Sequence, residues 1–163
     1  MIPAVLISGF SDSGKTTIVE KLLRILTEKG YEVATVKHHH GGKLDLGEDR
    51  DSTKHLNAGA SSVSLSSKSN YVVIKRVKKE KTLSEILSEI ENVDLILVEG
   101  YKRENFPKIE VYRSELDNPR LKDPGGNIIG VVSDIELPDR DIPVFGFNQT
   151  DKLAEFIQTK FLR

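Results

Sequence analysis

The segment Gly9-Phe10-Ser11-Asp12-Ser13-Gly14-Lys15-Thr16-Thr17 follows the spacing G-x-x-x-x-G-K-[ST], and what flanks it decides the fold. Immediately before it, Ala4 to Ser8 (AVLIS) is a short continuous apolar run, as expected of a strand buried on both faces. Immediately after it, Thr16 to Lys29 sets Ile18, Leu22, Ile25 and Leu26 at helical spacing with charges opposite, and Gly30 supplies the stop. Tyr31 to Val36 reads as a second strand. Such a strand–loop–helix–strand unit predicts a parallel pair joined by a right-handed crossover.

The residue types of the loop are those a phosphate chain requires. Gly9 and Gly14 let the backbone wrap closely, with torsions that other residues resist. The successive N–H groups of Ser11, Asp12, Ser13 and Gly14 then form a nest for phosphate oxygens, and the helix that begins near Lys15 adds its positive end. Lys15 is placed to bridge the β- and γ-phosphates, Thr16 to offer its hydroxyl to Mg²⁺, and Thr17 to lie near the α-phosphate.

Outward from that unit, apolar runs of strand length keep alternating with helical patterns. Helices are expected at Asp51 to Asn57, at Thr82 to Glu91 behind a Thr82-Leu83-Ser84-Glu85 capping box, and at Asp151 to Phe161. Strands are expected at 62–66 and 71–77, around the polar turn 67–70, then at 94–98, 108–112, 128–132 and 142–147. Residues 37–50 show no periodicity and read as a loop. The alternation predicts a three-layer α/β fold of the P-loop type around a mostly parallel central sheet. No repeat, linker or boundary interrupts residues 1–163, so one nucleotide-binding domain is expected.

Composition narrows the function classes. With 24 Lys and Arg against 25 Asp and Glu, the formal charge of −1 lacks the basic excess of a nucleic-acid-coating protein. The absence of cysteine excludes a disulfide scaffold, a thiol nucleophile, an iron–sulfur cluster and a Cys-type zinc site. No apolar stretch approaches the roughly 20 residues of a membrane span, and Met1 to Ile7 lacks the basic start of a signal peptide. A cytoplasmic protein with no membrane or nucleic-acid partner is the expectation.

The phosphate site needs a carboxylate at the end of a buried strand. Asp94-Leu95-Ile96-Leu97-Val98-Glu99-Gly100 offers two. Ligands of parallel sheets lie at the carboxyl ends of strands, so Glu99 is the candidate, to hold an Mg²⁺-bound water or orient an attacking one, against the plainer reading of a cap on the Gly100 turn. Asp94 belongs at the far end. Lys37-His38-His39-His40 opens the loop after the second strand, at the same edge. Adjacent histidines do not easily converge on one ion, and only His55 could join them, so phosphate sensing or partner binding is favoured over zinc or nickel. Asp45, Glu48, Asp49 and Asp51 follow; one of them could reach Mg²⁺ when the loop closes, and most read as solvated loop charges. Asn148-Gln149-Thr150-Asp151 has the Asn-to-Asp spacing of a guanine-reading N-K-x-D element with Gln in place of Lys. Ordinary capping of the last helix by Thr150 or Asp151 is the favoured alternative. The basic run Lys75 to Lys81 reads as a solvated strand end.

Taken together, G-F-S-D-S-G-K-T-T, V-K-H-H-H, D-S-T-K-H-L-N-A-G-A and L-I-L-V-E-G-Y-K resemble the molybdopterin-guanine dinucleotide biosynthesis protein B (MobB) family in order and spacing over residues 4–113. Pro107-Lys108-Ile109-Glu110 fits as the next strand. The resemblance implies a homodimeric GTP-binding protein with weak GTPase activity. It implies a role beside the nucleotidyltransferase MobA, which joins GMP to molybdopterin in molybdenum or tungsten cofactor maturation. It places Lys15, Thr16, Asp51 and Glu99 around the phosphates and Mg²⁺, with Lys15, Glu99 and Asp51 as the catalytic set and Lys37-His38 beside them. No arginine finger is evident, which suits slow turnover; Arg50 or Arg103 of a partner subunit are the candidates. The alternatives from the residues are a metallochaperone GTPase for nickel or zinc and a small-molecule kinase.

Overall fold

A computed structural model describes residues 2–39, 41, 51–138 and 141–162. The chain forms two compact units, Met1–His38 with Leu83–Arg163, and His39–Thr82. No shift in composition marks either junction.

The larger unit is built on a six-stranded sheet. Its strands are β1 (Ala4–Ser8), β2 (Val33–Lys37), and, beyond the segment that forms the second unit, strands we label β5 (Leu95–Glu99), β6 (Lys108–Tyr112), β7 (Ile128–Ser133) and β8 (Val144–Phe145). The spatial order is β2-β5-β1-β6-β7-β8, and every neighbouring pair runs parallel. This bears out the α/β class with a parallel central sheet. It corrects one detail: β1 and β2 are parallel but not paired, because β5 lies between them. The reason is burial. Leu95, Ile96, Leu97 and Val98 are almost wholly buried, which needs a covered face on both sides and neighbours on both edges, whereas β2 is only partly buried and suits the edge.

Alternation along the strands sorts the layers. Val5, Ile7, Leu95, Leu97, Ile109, Val111 and Val132 face α1 (Lys15–Glu28) and α4 (Thr150–Phe161), which contribute Ile18, Leu22, Leu26, Leu153 and Ile157. Leu6, Val36, Ile96 and Val98 face the other way, against Leu83 and Ile86 of α3 (Leu83–Ser88). A third cluster, Leu121, Ile128 and Val131, covers that same outer side of β6–β8 with the loop 117–126. Helix α1 closes as the Gly30 signal predicts: the Gly30 N–H bonds Thr27 O and the Tyr31 N–H bonds Leu26 O.

The smaller unit holds α2 (Asp51–Asn57) and an antiparallel hairpin of β3 (Ser62–Ser66) and β4 (Tyr71–Lys75). The turn is fixed by Ser67, whose Oγ accepts from the Asn70 N–H at 2.9 Å. Strand β4 stops two residues short of the expected Val77, and the Arg76 guanidinium donates to the Leu56 carbonyl. Among the described residues no helix is long and apolar enough to cross a membrane.

Candidate functional site

The loop after β1 is shaped at three positions. A side chain at Gly9 would place its Cβ 2.4 Å from the Val111 carbonyl oxygen and 2.7 Å from Ser13 Oγ. Gly9 is therefore required by close approach, and the left-handed torsions fall instead on Asp12 (φ 61°) and Gly14 (φ 94°). Gly14 caps α1 without a side-chain hydrogen bond, and the first turn carries no acidic residue. The leading amides of α1 are thus not taken by an N-cap side chain and are unopposed by a first-turn carboxylate. Ser13 is buried with its hydroxyl unpartnered. Ser11 and Thr17 are exposed on either flank.

Lys15 arches back over the loop, its Nζ donating to the Phe10 carbonyl at 2.5 Å. Burial pushes its ammonium below the ordinary lysine value. The carboxylates of Glu99 and Asp12 oppose that shift, and the charges of Lys102 and Lys37 reinforce it. Lys102 lies over the Phe10 ring, 4.3 Å from its centroid. The cradle is therefore cationic and partly desolvated, which is what an anionic ligand needs in order to gain from being bound there.

Strand register brings the other residues to it. Glu99 lies opposite Ile7 of β1 on one side and Lys37 of β2 on the other. By parity with Leu97, its side chain points to the α1 face, where α1 begins. There the Thr16 hydroxyl donates to Glu99 Oε1 at 2.8 Å. The Lys37 ammonium bonds Thr16 Oγ1 at 3.3 Å and pairs with Glu99 Oε1 at 3.1 Å. Glu99 is not a cap on the Gly100 turn. A hydroxyl and a carboxylate at this spacing are the hard oxygen donors Mg²⁺ takes alongside phosphate, and the Lys37 ammonium sits against both as a stand-in cation, so the residues present fit the ion.

The remaining candidates divide. His38 packs its ring 4.5 Å from that of Tyr101, and its backbone N–H donates to the Glu99 carbonyl. Asp51 belongs to the smaller unit, exposed at the start of α2 and paired with Lys54 at 3.4 Å. Asp94 is at the amino end of β5, its Oδ2 accepting from the Glu32 N–H. His40, Asp45, Glu48, Asp49 and Arg50 lie outside the described residues. Among the described residues no three His, Cys, Asp or Glu side chains gather to hold a metal ion.

Further along the same carboxyl edge, Asn148 lines an open cleft of about 490 Å³ together with Ser133–Pro138, Val144, Gly146 and Gln149. Asp151 is exposed in the first turn of α4 and is not part of that lining. The capping alternative is not what the structure shows either. Gln149 occupies the N-cap without a side-chain cap, its Oε1 accepting from the Gly146 N–H, while the buried Thr150 hydroxyl is unpartnered.

Sequence reasoning passed over three residues near the cradle. Lys108, buried at the start of β6, donates to the carbonyls of Lys102 and Glu104 and ties down the loop that follows Glu99. Lys102 itself carries a second cation to Phe10. Arg113 stacks on Phe147 at 4.2 Å, and both reach the Gly14 position. A lysine opening an apolar strand run (Lys108-Ile109-Glu110-Val111-Tyr112) was the one available signal.

The chain is similar to several known proteins. The family model for Molybdopterin guanine dinucleotide synthesis protein B matches residues 4–134. A molybdopterin-guanine dinucleotide biosynthesis adapter protein of Haemophilus influenzae is 32% identical over 160 residues, covering 96% of this chain and 88% of the relative. That of Escherichia coli is 30% identical over 163 residues, covering 96% and 92%. A crystal structure of molybdopterin-guanine biosynthesis protein B superposes with a TM-score of 0.75 at 29% identity, over 96% of this chain and 99% of that one.

Proposed function

Because the chain belongs to the molybdopterin guanine dinucleotide synthesis protein B family, we propose that it binds GTP with Mg²⁺ at the Gly9–Thr17 cradle, hydrolyses it slowly, and assists the attachment of GMP to molybdopterin. In this reading it acts in the cytoplasm as a homodimeric adapter beside a MobA-type nucleotidyltransferase. The relatives named as adapter proteins in this biosynthesis support the role. The single observation that supports the site is the junction of Thr16, Glu99 and Lys37 at the mouth of a cationic backbone nest.

The residues divide the work. The amides of residues 11–16 hold the phosphate oxygens, and Lys15 swings from Phe10 O to the β- and γ-phosphates. Thr16 and Glu99 would hold Mg²⁺, which would supply neutralisation of charge on the phosphate oxygens. Lys37, displaced from that position, stays at the edge with His38. Glu99 also orients the attacking water. Asp51 enters this reading only through the family resemblance, as does dimerisation.

Lys15→Ala tests the assignment. Titration calorimetry with GTP and Mg²⁺ should show binding lost in a variant whose circular dichroism is unchanged, since this side chain serves the ligand rather than the core. Wild-type affinity would overturn the site. In the wild-type protein, ligand at ~100-fold excess over Kd should add about 2.7 kcal/mol of stability. Glu99→Gln should slow single-turnover hydrolysis more than it weakens binding.

A further inference from the structure

The cleft at the ends of β7 and β8 shares the carboxyl edge of the sheet with the phosphate cradle, and parallel sheets take their ligands along that edge. The two are adjacent: Phe147 reaches to 3.4 Å of the Gly14 Cβ position, and its chain neighbours Gly146 and Asn148 line the cleft. Arg113, stacked on Phe147, reaches the same position, and the residue after it, Ser114, holds the cleft residue Asp134. At about 490 Å³ the cleft lies within the roughly 300–1,000 Å³ range of small-molecule sites. Its walls are mixed, setting apolar side chains such as Ile135 and Leu137 beside two carboxylates (Asp134 and Glu136) and two carboxamides (Asn148 and Gln149).

Asp134 differs from Glu136 in being fixed. The Ser114 N–H donates to its Oδ1 and the Ser114 hydroxyl to its Oδ2, both at 2.9 Å. These bonds hold its carboxyl below the usual carboxylate range, so it is ionised at neutral pH. A carboxylate offers about four acceptor positions; Ser114 takes one on each oxygen and the Asp134 N–H is a third donor, which leaves room for a ligand N–H. A fixed, ionised acceptor with no donor matches a base edge that carries N–H groups. Guanine presents such an edge, N1–H beside the 2-amino group. Adenine presents a lone pair at N1, which a carboxylate repels.

We propose that the cleft formed by residues 133–138 and 146–149 receives the nucleobase of the nucleotide whose phosphates occupy residues 9–17, and that Asp134, oriented by Ser114, selects guanine. Asn148 faces the base from the other loop with an amide able to donate to O6. This rests on the GTP reading above and assigns its base specificity to a residue 14 positions before the Asn148 of the imperfect N-K-x-D segment.

The test uses the full chain and Mg²⁺ with GTP, ATP, xanthosine triphosphate and inorganic tripolyphosphate, titrated into the wild-type protein and Asp134→Asn. A carboxamide can accept from N1–H and donate to the 2-oxo group of xanthine. The variant should therefore lose about tenfold to a hundredfold in GTP affinity, gain in xanthosine triphosphate affinity, and keep its tripolyphosphate affinity. An unchanged order of the four ligands in a folded variant overturns the proposal. Hydrogen exchange on the wild-type protein decides the matter even if the variant does not fold. GTP should protect amides of both 9–17 and 133–149, whereas tripolyphosphate should protect 9–17 alone. Protection confined to 9–17 with GTP sinks this proposal and leaves GTP binding standing. No protection by either ligand sinks both.

Discussion

The two halves of the central sheet are held by different physics. On one side, β5 and β1 carry continuous apolar runs. Val5, Leu6 and Ile7 and Leu95 to Val98 are at most 1% exposed, and both faces are covered by hydrocarbon. On the other side, β6, β7 and β8 add to their own buried apolar residues carboxylates that gather backbone and arginine donors. Glu110, 1% exposed, takes Arg120 in a two-pronged pair at 3.0 and 2.7 Å and also the Leu121 N–H at 2.7 Å. Asp123 takes the N–H groups of Asn127 and Ile128, and Asp134 takes Ser114. The first half positions a phosphate cradle whose shape is in its backbone. The second positions a cleft whose shape depends on side chains holding loops. A nonpolar core is indifferent to pH and graded in its response to substitution. A carboxylate clamp is sensitive to pH and fails abruptly when one partner is removed.

Removing Arg120 should give the largest effect. Arg120→Ala leaves Glu110 buried without its cation and also removes the guanidinium stacked 5.2 Å from Tyr112. About 3–5 kcal/mol of stability should be lost, measured by urea unfolding. A loss below about 1 kcal/mol would mean that the apolar cluster of Leu121, Ile128 and Val131 holds this half by itself, and the contrast between the halves would collapse. In the other half, Ile96→Val removes one methylene from a wholly buried strand. It should cost about 0.5–1.5 kcal/mol, the same at pH 5 as at pH 8. A cost that varied with pH would show that charged groups govern that half as well.

The same division explains what the sequence could disclose. β1, β5 and α1 are legible because burial on both faces forces continuous apolar runs, and the cradle because a phosphate nest admits few residue types. Gly9 has no room for a Cβ, Gly14 has a left-handed torsion, and Lys15 and Thr16 are dictated by charge and hydroxyl chemistry. Glu99 is legible by rule, since the end of a buried strand is the ligand edge. Its pairing with Lys37 is not, because it depends on β5 rather than β1 lying beside β2. The cleft is illegible for a stronger reason. Its walls come from two loops, 133–138 and 146–149, of ordinary polar composition, and the residue that orients Asp134 lies 20 positions upstream. Spacing within one segment drew attention to Asn148 and Asp151, and the fold keeps only Asn148 in the cleft lining. Three strands run one polar residue past the expected end, at Lys37, Glu99 and Ser133, whereas those ending at Ser8 and Ser66 match it.

The smallest expected effect is also the one specific to the clamped half. Asp134 is held below the usual carboxylate range chiefly by the Ser114 N–H, against the opposition of burial, and then by the Ser114 hydroxyl, its own N–H and the Arg113 charge. Its folded value lies below the unfolded value near ~3.9, so the unfolded chain binds this proton more tightly. The stabilisation is present in full above the unfolded value and is lost as pH falls through the folded one. Ser114→Ala removes the hydroxyl and keeps the backbone donor, so it removes part of the effect. Because Asp134 is exposed, solvent screening keeps the difference small, on the order of 0.5–1 kcal/mol near neutrality. That difference should shrink as urea midpoints are measured from pH 7 down to pH 3, because protonation removes in the parent what the substitution has already removed in the variant. A gap that widened toward acid would put the sign the other way, with Ser114 favouring the protonated carboxyl. Asp134 could not then be the fixed, ionised acceptor that guanine requires.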